Sequence, residues 1–215
     1  MRIKVCGITN LEDAEAAQRL GAWGVGLNHH PESPRLVEPD VAAEIGAALK
    51  RQCEVVGIFV NAPLREVERA AEAAQLTMVQ LHGDEGPAYC AEVARRTGAK
   101  VIKAFAVRSG ADVQAATAFR TDFHLFDAHS AKKRGGTGET FDWGLAATHD
   151  PAIPLMLAGG LRPDNVAEAI EVVRPFAVDV TSGVEAEPGR KDQALLEEFF
   201  AAANSAEAPT GSAAP

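Results

Sequence analysis

The chain has 215 residues, 47% hydrophobic and 24% charged, a composition with enough apolar material for a full core that sets aside disordered and fibrous classes. A formal net charge of -9 gives no basic field for a nucleic-acid backbone or an anionic membrane, so an anionic ligand must be held by a local site. The chain opens directly into a strand-like run, and no apolar stretch nears the roughly 18 residues of a bilayer span, so a cytoplasmic protein is expected, with neither nucleic acid nor membrane as a partner.

Arg2–Val5 is a short β-branched run that ends in Cys6 and Gly7, and Asn10 stands where it can cap a helix over Leu11–Leu20. A strand that hands a nucleophile-type side chain to a strand-to-helix turn is how (β/α)₈ barrels place catalytic groups at their C-terminal face. Gly24–Leu27 predicts the second strand. The preceding Gly21-Ala22-Trp23-Gly24-Val25-Gly26 fails the GxGxxG spacing and comes before a strand, which argues against a dinucleotide-binding sheet. Arg35, past that strand, carries a planar fork that suits a carboxylate.

A helix over Val41–Lys50, a strand over Glu54–Val60, a helix over Leu64–Ala74 and a strand over Met78–Leu81 follow. Gln80 lies in this fourth strand and His82 ends it, where a neutral imidazole can contact substrate. Next come Pro87–Arg96, Val101–Ala106 and Ala111–Phe119, then the strand Phe123–Phe126, which delivers the Asp127 carboxylate towards the same mouth as Cys6. The segment from Lys132-Lys133-Arg134 to Gly135-Gly136-Thr137-Gly138 reads either as a cationic lid or as a solvated turn.

A helix over Trp143–Ala147, a strand over Pro154–Ala158, a helix over Asn165–Val173, a strand over Ala177–Val180 containing Asp179, and a helix over Gln193–Ala202 complete the pattern. Residues 204–215, rich in Ala, Ser, Pro and Gly, predict a disordered tail, leaving residues 1–203 as one domain. Eight strand–helix pairs place the chain in the α/β class as a single (β/α)₈ TIM barrel. In such barrels the loops after strands seven and eight commonly bind phosphate, and here they carry Gly159-Gly160 and Ser182-Gly183.

Cys6 and Asp127 together offer a base and an acid, provided their surroundings move the two pKa values apart. The thiol needs a depression of roughly 1.5 units to be half ionised at neutral pH, which a helix N-terminus and an anion site are expected to supply. Cys53 and Cys90 read as small buried hydrophobes, and three widely spaced cysteines make no disulfide framework. His29-His30, His82, His124, His129 and His149 show no metal-ligand spacing on a predicted helix or strand, so neither a metal nor a cofactor is expected.

Taken together, Lys4-Val5-Cys6-Gly7-Ile8-Thr9-Asn10, Ser33-Pro34-Arg35, Gly57-Ile58-Phe59-Val60-Asn61, Val79-Gln80-Leu81-His82-Gly83, Gly136-Thr137-Gly138 with Phe141-Asp142-Trp143, Leu157-Ala158-Gly159-Gly160-Leu161 and Val178-Asp179-Val180-Thr181-Ser182-Gly183-Val184-Glu185 resemble the phosphoribosylanthranilate isomerase family of tryptophan biosynthesis. The resemblance spans roughly residues 2–200. It implies a (β/α)₈ barrel and an Amadori rearrangement of N-(5-phosphoribosyl)anthranilate to 1-(2-carboxyphenylamino)-1-deoxyribulose 5-phosphate.

By the same resemblance Asp127 is the general acid, Cys6 the general base, and Arg35 the partner of the anthranilate carboxylate. Gly159, Gly160, Ser182 and Gly183 match the phosphate grip, with Gln80, His82 and Asp179 further substrate-binding residues of the mouth. Such a protein needs only its phosphorylated small-molecule substrate as partner and works as a monomer or homodimer. Asn28-His29-His30 departs from the family pattern and bears on the shape of the anthranilate pocket. Two alternatives remain at this point: a metal-dependent pentose-phosphate epimerase of the same fold, and a non-catalytic ligand-binding barrel.

Overall fold

Eight parallel strands alternate with helices and close on one another. The computed structural model describes residues 1–127 and 143–206. Strand β1 (Arg2–Cys6) leads to α1 (Leu11–Arg19), β2 (Gly24–Asn28) to α2 (Pro39–Leu49), β3 (Glu54–Phe59) to α3 (Leu64–Ala73), and β4 (Met78–Leu81) to α4 (Pro87–Thr97). Then follow β5 (Lys100–Ala106), α5 (Gly110–Ala116), β6 (Phe123–Asp127), α6 (Trp143–Ala146), β7 (Leu155–Ala158), α7 (Val166–Val173) and β8 (Ala177–Val180). A short antiparallel pair, β9 (Glu185–Glu187) and β10 (Arg190–Lys191), precedes α8 (Gln193–Ser205).

The strands run in sequence order around a closed barrel, with β1 pairing β2 on one side and β8 on the other. Strand alternation divides the core in two. Val56, Met78, Ile102, Ala104, Leu125, Met156, Ala158 and Ala177 fill the barrel interior, while the intervening positions, such as Val5, Leu27, Leu81, Leu157 and Val180, meet the helices. The inward face of β1 carries Lys4 and Cys6, so this strand commits its interior positions to chemistry rather than to packing.

Local signals set the helix ends. The Asn10 side chain accepts a bond from the Asp13 N–H at 2.8 Å and caps α1, and Asp192 does the same for α8 through the Leu195 N–H at 3.1 Å. Helix α2 starts at Pro39 rather than at Val41, because a proline tolerates the first helical turn. Helix α5 ends at Ala116, short of Phe119, while α8 runs on to Ser205, past the expected domain end at 203. The rest of the expected tail, 207–215, and the cationic glycine segment 132–138 lie outside the described residues.

Strands β1, β2 and β6 each reach one residue further than their apolar runs, to Cys6, Asn28 and Asp127. The ladder pairs Cys6 with Gly26, Asn28 with Ile58 and Asp127 with Ala158, so these polar groups sit in the sheet rather than in loops. The β9–β10 pair has no counterpart in the sequence expectation; strands of three and two residues leave no periodicity to read.

Candidate active site

At the C-terminal end of the barrel a cavity of about 450 Å³ is lined by all ten residues expected from the sequence: Cys6, Arg35, Gln80, His82, Asp127, Gly159, Gly160, Asp179, Ser182 and Gly183. Strands β1, β6 and β8 deliver Cys6, Asp127 and Asp179, His82 follows β4, Arg35 lies in the segment after β2, and the turns after β7 and β8 deliver the glycines. A cavity of about 510 Å³ at the other end, beside Trp23, Lys50 and Glu54, gathers none of these groups.

Gly26 makes room for Cys6: a Cβ there would come within 2.8 Å of Sγ. The chain then turns at Gly7, whose φ of +75° is a left-handed conformation that glycine takes without steric cost. One layer below the thiol, Lys4 Nζ donates to Asp179 Oδ1 at 2.9 Å, a pair with side chains 0% and 5% exposed. Burial opposes the charge on Lys4, but Asp179 and Cys6 outweigh it and its pKa is raised.

Burial also dominates at Cys6. It pushes the thiol above its ordinary value, and Asp179 adds to this, while Lys4 and Lys191 pull the other way without prevailing. The expected depression of the thiol is therefore not present in the free protein. The reason is desolvation, which a sequence motif does not report. Asp179 is likewise raised, by burial first, with Lys4 counteracting.

Across the mouth, His82 Nε2 lies 3.5 Å from Asp127 Oδ2, and Gln80 Nε2 lies 3.1 Å from His82 Nδ1. Arg35 is bound twice to Glu185, through Nε to Oε1 at 2.8 Å and Nη2 to Oε2 at 2.6 Å. Glu185 also accepts from Lys191 Nζ at 2.9 Å, and Lys191 donates in turn to the Cys6 carbonyl at 2.6 Å and the Thr181 carbonyl at 3.2 Å. Burial alone would raise Glu185, yet its bonds to Arg35 and Lys191 bring its pKa below the usual value.

The turns after β7 and β8 bring glycines to the cavity. Gly159 and Gly160 both adopt positive φ, at +92° and +68°. The loop after β8 forms a single 3-10 turn over Ser182–Val184, packed so closely on the preceding loop that a Cβ on Gly183 would overlap the Leu161 carbonyl oxygen.

Several side chains take other places than the sequence suggested. Asn28 lines the cavity, whereas His29 turns away from it and stacks on Phe59, ring centroids 4.9 Å apart; burial lowers its pKa to about 4. His124 points outward from β6 and meets His149, Nδ1 to Nε2 at 2.9 Å. Among the described residues no three His, Cys, Asp or Glu side chains converge as metal ligands. Lys4, Glu185 and Lys191 were missed as site residues; Lys4 was open to discovery, since it lies two positions before Cys6 on the same strand face. No helix of the described residues is long and apolar enough to cross a membrane.

A parallel eight-stranded barrel whose C-terminal mouth gathers a thiol, carboxyls, an arginine and two glycine turns defines a barrel enzyme for a small anionic substrate. Comparison narrows the class: a family model for N-(5'-phosphoribosyl)anthranilate isomerase matches residues 3–202, and the chain belongs to that family. It is 50% identical to the N-(5'-phosphoribosyl)anthranilate isomerase of Geobacter sulfurreducens over 200 residues, 93% of this chain and 97% of that protein.

Among solved structures, phosphoribosylanthranilate isomerase from Thermotoga maritima superposes with a TM-score of 0.87 at 42% identity, covering 95% of this chain and 98% of that one. A phosphoribosylanthranilate isomerase in complex with reduced 1-(o-carboxyphenylamino)-1-deoxyribulose 5-phosphate gives a TM-score of 0.83 at 40% identity, with 95% and 98% coverage. The chain is thus an isomerase of the tryptophan pathway's barrel family.

Proposed function

We propose that this isomerase converts N-(5'-phosphoribosyl)anthranilate to 1-(2-carboxyphenylamino)-1-deoxyribulose 5-phosphate with Asp127 as general acid and Cys6 as general base. One observation carries the assignment: Cys6 and Asp127 line the same cavity, at the ends of β1 and β6, together with Arg35 and the two glycine turns. Asp127 gives a proton to the ribose ring oxygen, the C1–O bond breaks, and the substrate nitrogen carries the resulting positive charge as an iminium. Cys6 then takes the proton from C2, and the electron pair of that C–H bond neutralises the iminium to an enolamine, which tautomerises to the ketose.

The raised pKa of Cys6 fits this order. A buried thiol stays protonated in the free protein, and the iminium cation, formed only after ring opening, favours the thiolate, so that Cys6 gives its proton to solvent at the cavity mouth before it takes the one on C2. The acid step therefore prepares the base. Arg35 pairs with the anthranilate carboxylate, and the turns at Gly159-Gly160 and Ser182-Gly183 hold the phosphate through backbone N–H groups. Asp179 is read as the group that fixes Lys4 beneath the thiol.

The test is turnover of the aminoaldose made in situ from anthranilate and phosphoribosyl pyrophosphate, followed by loss of anthranilate-type fluorescence. Cys6→Ala and Asp127→Asn should each lower kcat by about 10²–10⁴-fold with the fold intact. Near wild-type turnover in either variant removes that residue from its role.

A further inference from the structure

We propose that Lys191 is a positioning residue that gives the carboxylate grip its charge: Glu185 cancels the Arg35 guanidinium that it orients, and the buried Lys191 ammonium on the same carboxylate restores one net positive charge. This rests on the reading of Arg35 as the partner of the substrate carboxylate and adds where the charge of that contact comes from.

The Arg35–Glu185 pair is close to neutral as its ligand meets it. Both Glu185 oxygens are engaged, Oε1 2.8 Å from Arg35 Nε and Oε2 2.6 Å from Nη2, and the Glu185 side chain is only 4% exposed. Water screens a buried counter-ion little, so an anion that approaches the guanidinium also meets the carboxylate behind it. Left to itself, the pair would offer hydrogen bonds with little net attraction.

Lys191 supplies the missing charge from outside the cavity lining. The β9–β10 hairpin sets Lys191 opposite Glu185, and Lys191 Nζ donates to Glu185 Oε1 at 2.9 Å. Its side chain is fully buried. Nζ lies 2.6 Å from the Cys6 carbonyl oxygen and 3.2 Å from that of Thr181, so three acceptors face it. An ammonium has a proton for each of them, whereas a neutral amine would turn its lone pair on one. Burial lowers the Lys191 pKa, while its bond to Glu185 and the charge there work against this.

Other charges near the hairpin leave this balance in place. Asp13 accepts from the Lys191 backbone N–H at 2.9 Å and from the Asn10 amide at 2.9 Å, in the first turn of α1, where the helix N-terminus favours a negative charge. Lys4 and Asp179 pair with each other. Glu187 and Arg190, on the same hairpin, are exposed and screened by solvent. Thr9 Oγ1 donates to the Gly189 carbonyl at 2.6 Å and ties the hairpin turn to the segment after Cys6.

Glu185 is still needed. Without it the guanidinium plane is free, and Lys191 becomes a buried ammonium with no ion partner, which favours the neutral amine. The two residues thus divide the work: Glu185 orients the guanidinium and Lys191 charges the site.

The test is calorimetric titration of the full chain with two ligands of the same shape, the carboxylated product and its carboxamide. Lys191→Gln keeps N–H donors for the carbonyls but removes the charge. It should weaken the carboxylate by about thirtyfold, the size of a unit-charge interaction at an effective dielectric near 20, and the carboxamide by about threefold or less. Lys191→Met should shift the ratio of the two affinities in the same way, which keeps the test open should one variant fail to fold. Lys191→Arg, which keeps the charge, should hold that ratio within about threefold of wild type whatever its absolute affinities.

Equal losses of both ligands in Lys191→Gln and Lys191→Met, the result of a purely structural role, overturn the inference. A ratio that collapses in Lys191→Arg as well does the same. Arg35→Met keeps the two failures apart: if it leaves the preference for the carboxylate intact, the reading of Arg35 as the grip is wrong, and if it alone abolishes the preference, the grip stands and the role given to Lys191 falls.

Discussion

Glu185 holds the Arg35 guanidinium at two points, 2.6 Å and 2.8 Å, and Arg35 lines the cavity. The bonds use Nε and Nη2, so the guanidinium plane is set by a buried carboxylate before any ligand arrives, and Nη1 remains for a substrate carboxylate. Lys191 on the same carboxylate ties this arrangement to the Cys6 carbonyl. Glu185→Gln keeps the shape but halves the acceptor capacity. It should raise KM by about tenfold, near 1.4 kcal/mol, while kcat falls much less. Equal losses in kcat and KM would show that Glu185 serves the chemical step instead.

Lys4 and Asp179 should move the Cys6 thiol in opposite directions. Burial keeps that thiol high, Lys4 pulls it down, and Asp179 pushes it up. Lys4→Met should therefore shift the pH at which the Cys6 thiol of the free protein ionises upward, and Asp179→Asn should shift it downward. Rates of Cys6 alkylation against pH, read on the Cys6 peptide by mass spectrometry, check this apart from turnover. Lys4→Met also strands a buried carboxyl group and should cost about 3–5 kcal/mol of stability in urea unfolding. Shifts of the same sign in both variants would refute the account.

The barrel was legible because its signal is repetitive: eight apolar runs with eight helical stretches between them survive small errors at each boundary. The candidate site was legible as a group because (β/α)₈ barrels put function after the strands, which selected Cys6, Asp127 and the two glycine turns that line one cavity. What escaped was long-range or solvent-controlled. Arg35 and Glu185 are 150 residues apart, and nothing local to either announces the pair. The direction of the Cys6 shift depends on how completely the thiol is buried, a property of the closed barrel and not of the strand that carries it. His29 looked like part of the mouth, but strand alternation after Asn28 turns it onto Phe59.

His124 should make stability fall in mild acid. It is 2% exposed, and burial first, then His149, lowers its pKa to about 4. A base whose folded pKa lies below its unfolded value binds fewer protons when folded. Its contribution is therefore complete above the unfolded value near 6.5 and is lost as pH falls from there towards the folded value. Between pH 7 and pH 5 the loss should be about 1–2 kcal/mol in urea unfolding. His29, also lowered to about 4, adds in the same direction. His124→Phe should flatten the pH dependence whatever its effect on absolute stability, and an unchanged slope would exclude His124 as its source.

The last expectation concerns the polarity of the pocket, with a carboxylate grip at Arg35 and a phosphate grip at the glycine turns. Arg35→Met should weaken the carboxylated product by about 1.5–3 kcal/mol, the range for a charge-assisted contact, and leave inorganic phosphate nearly untouched. Gly183→Ala should do the reverse, for a reason the structure makes specific. The added methyl would overlap the Leu161 carbonyl oxygen, so the loop after β8 must move off the loop after β7, and the backbone donors on the two turns would no longer converge on one anion. Calorimetric titration of inorganic phosphate and of the carboxylated product against both variants separates the two ends. Phosphate should lose about tenfold or more in affinity to Gly183→Ala, in keeping with one or two lost hydrogen bonds to a charged group. Equal losses of both ligands within each variant would mean that the pocket has no such division.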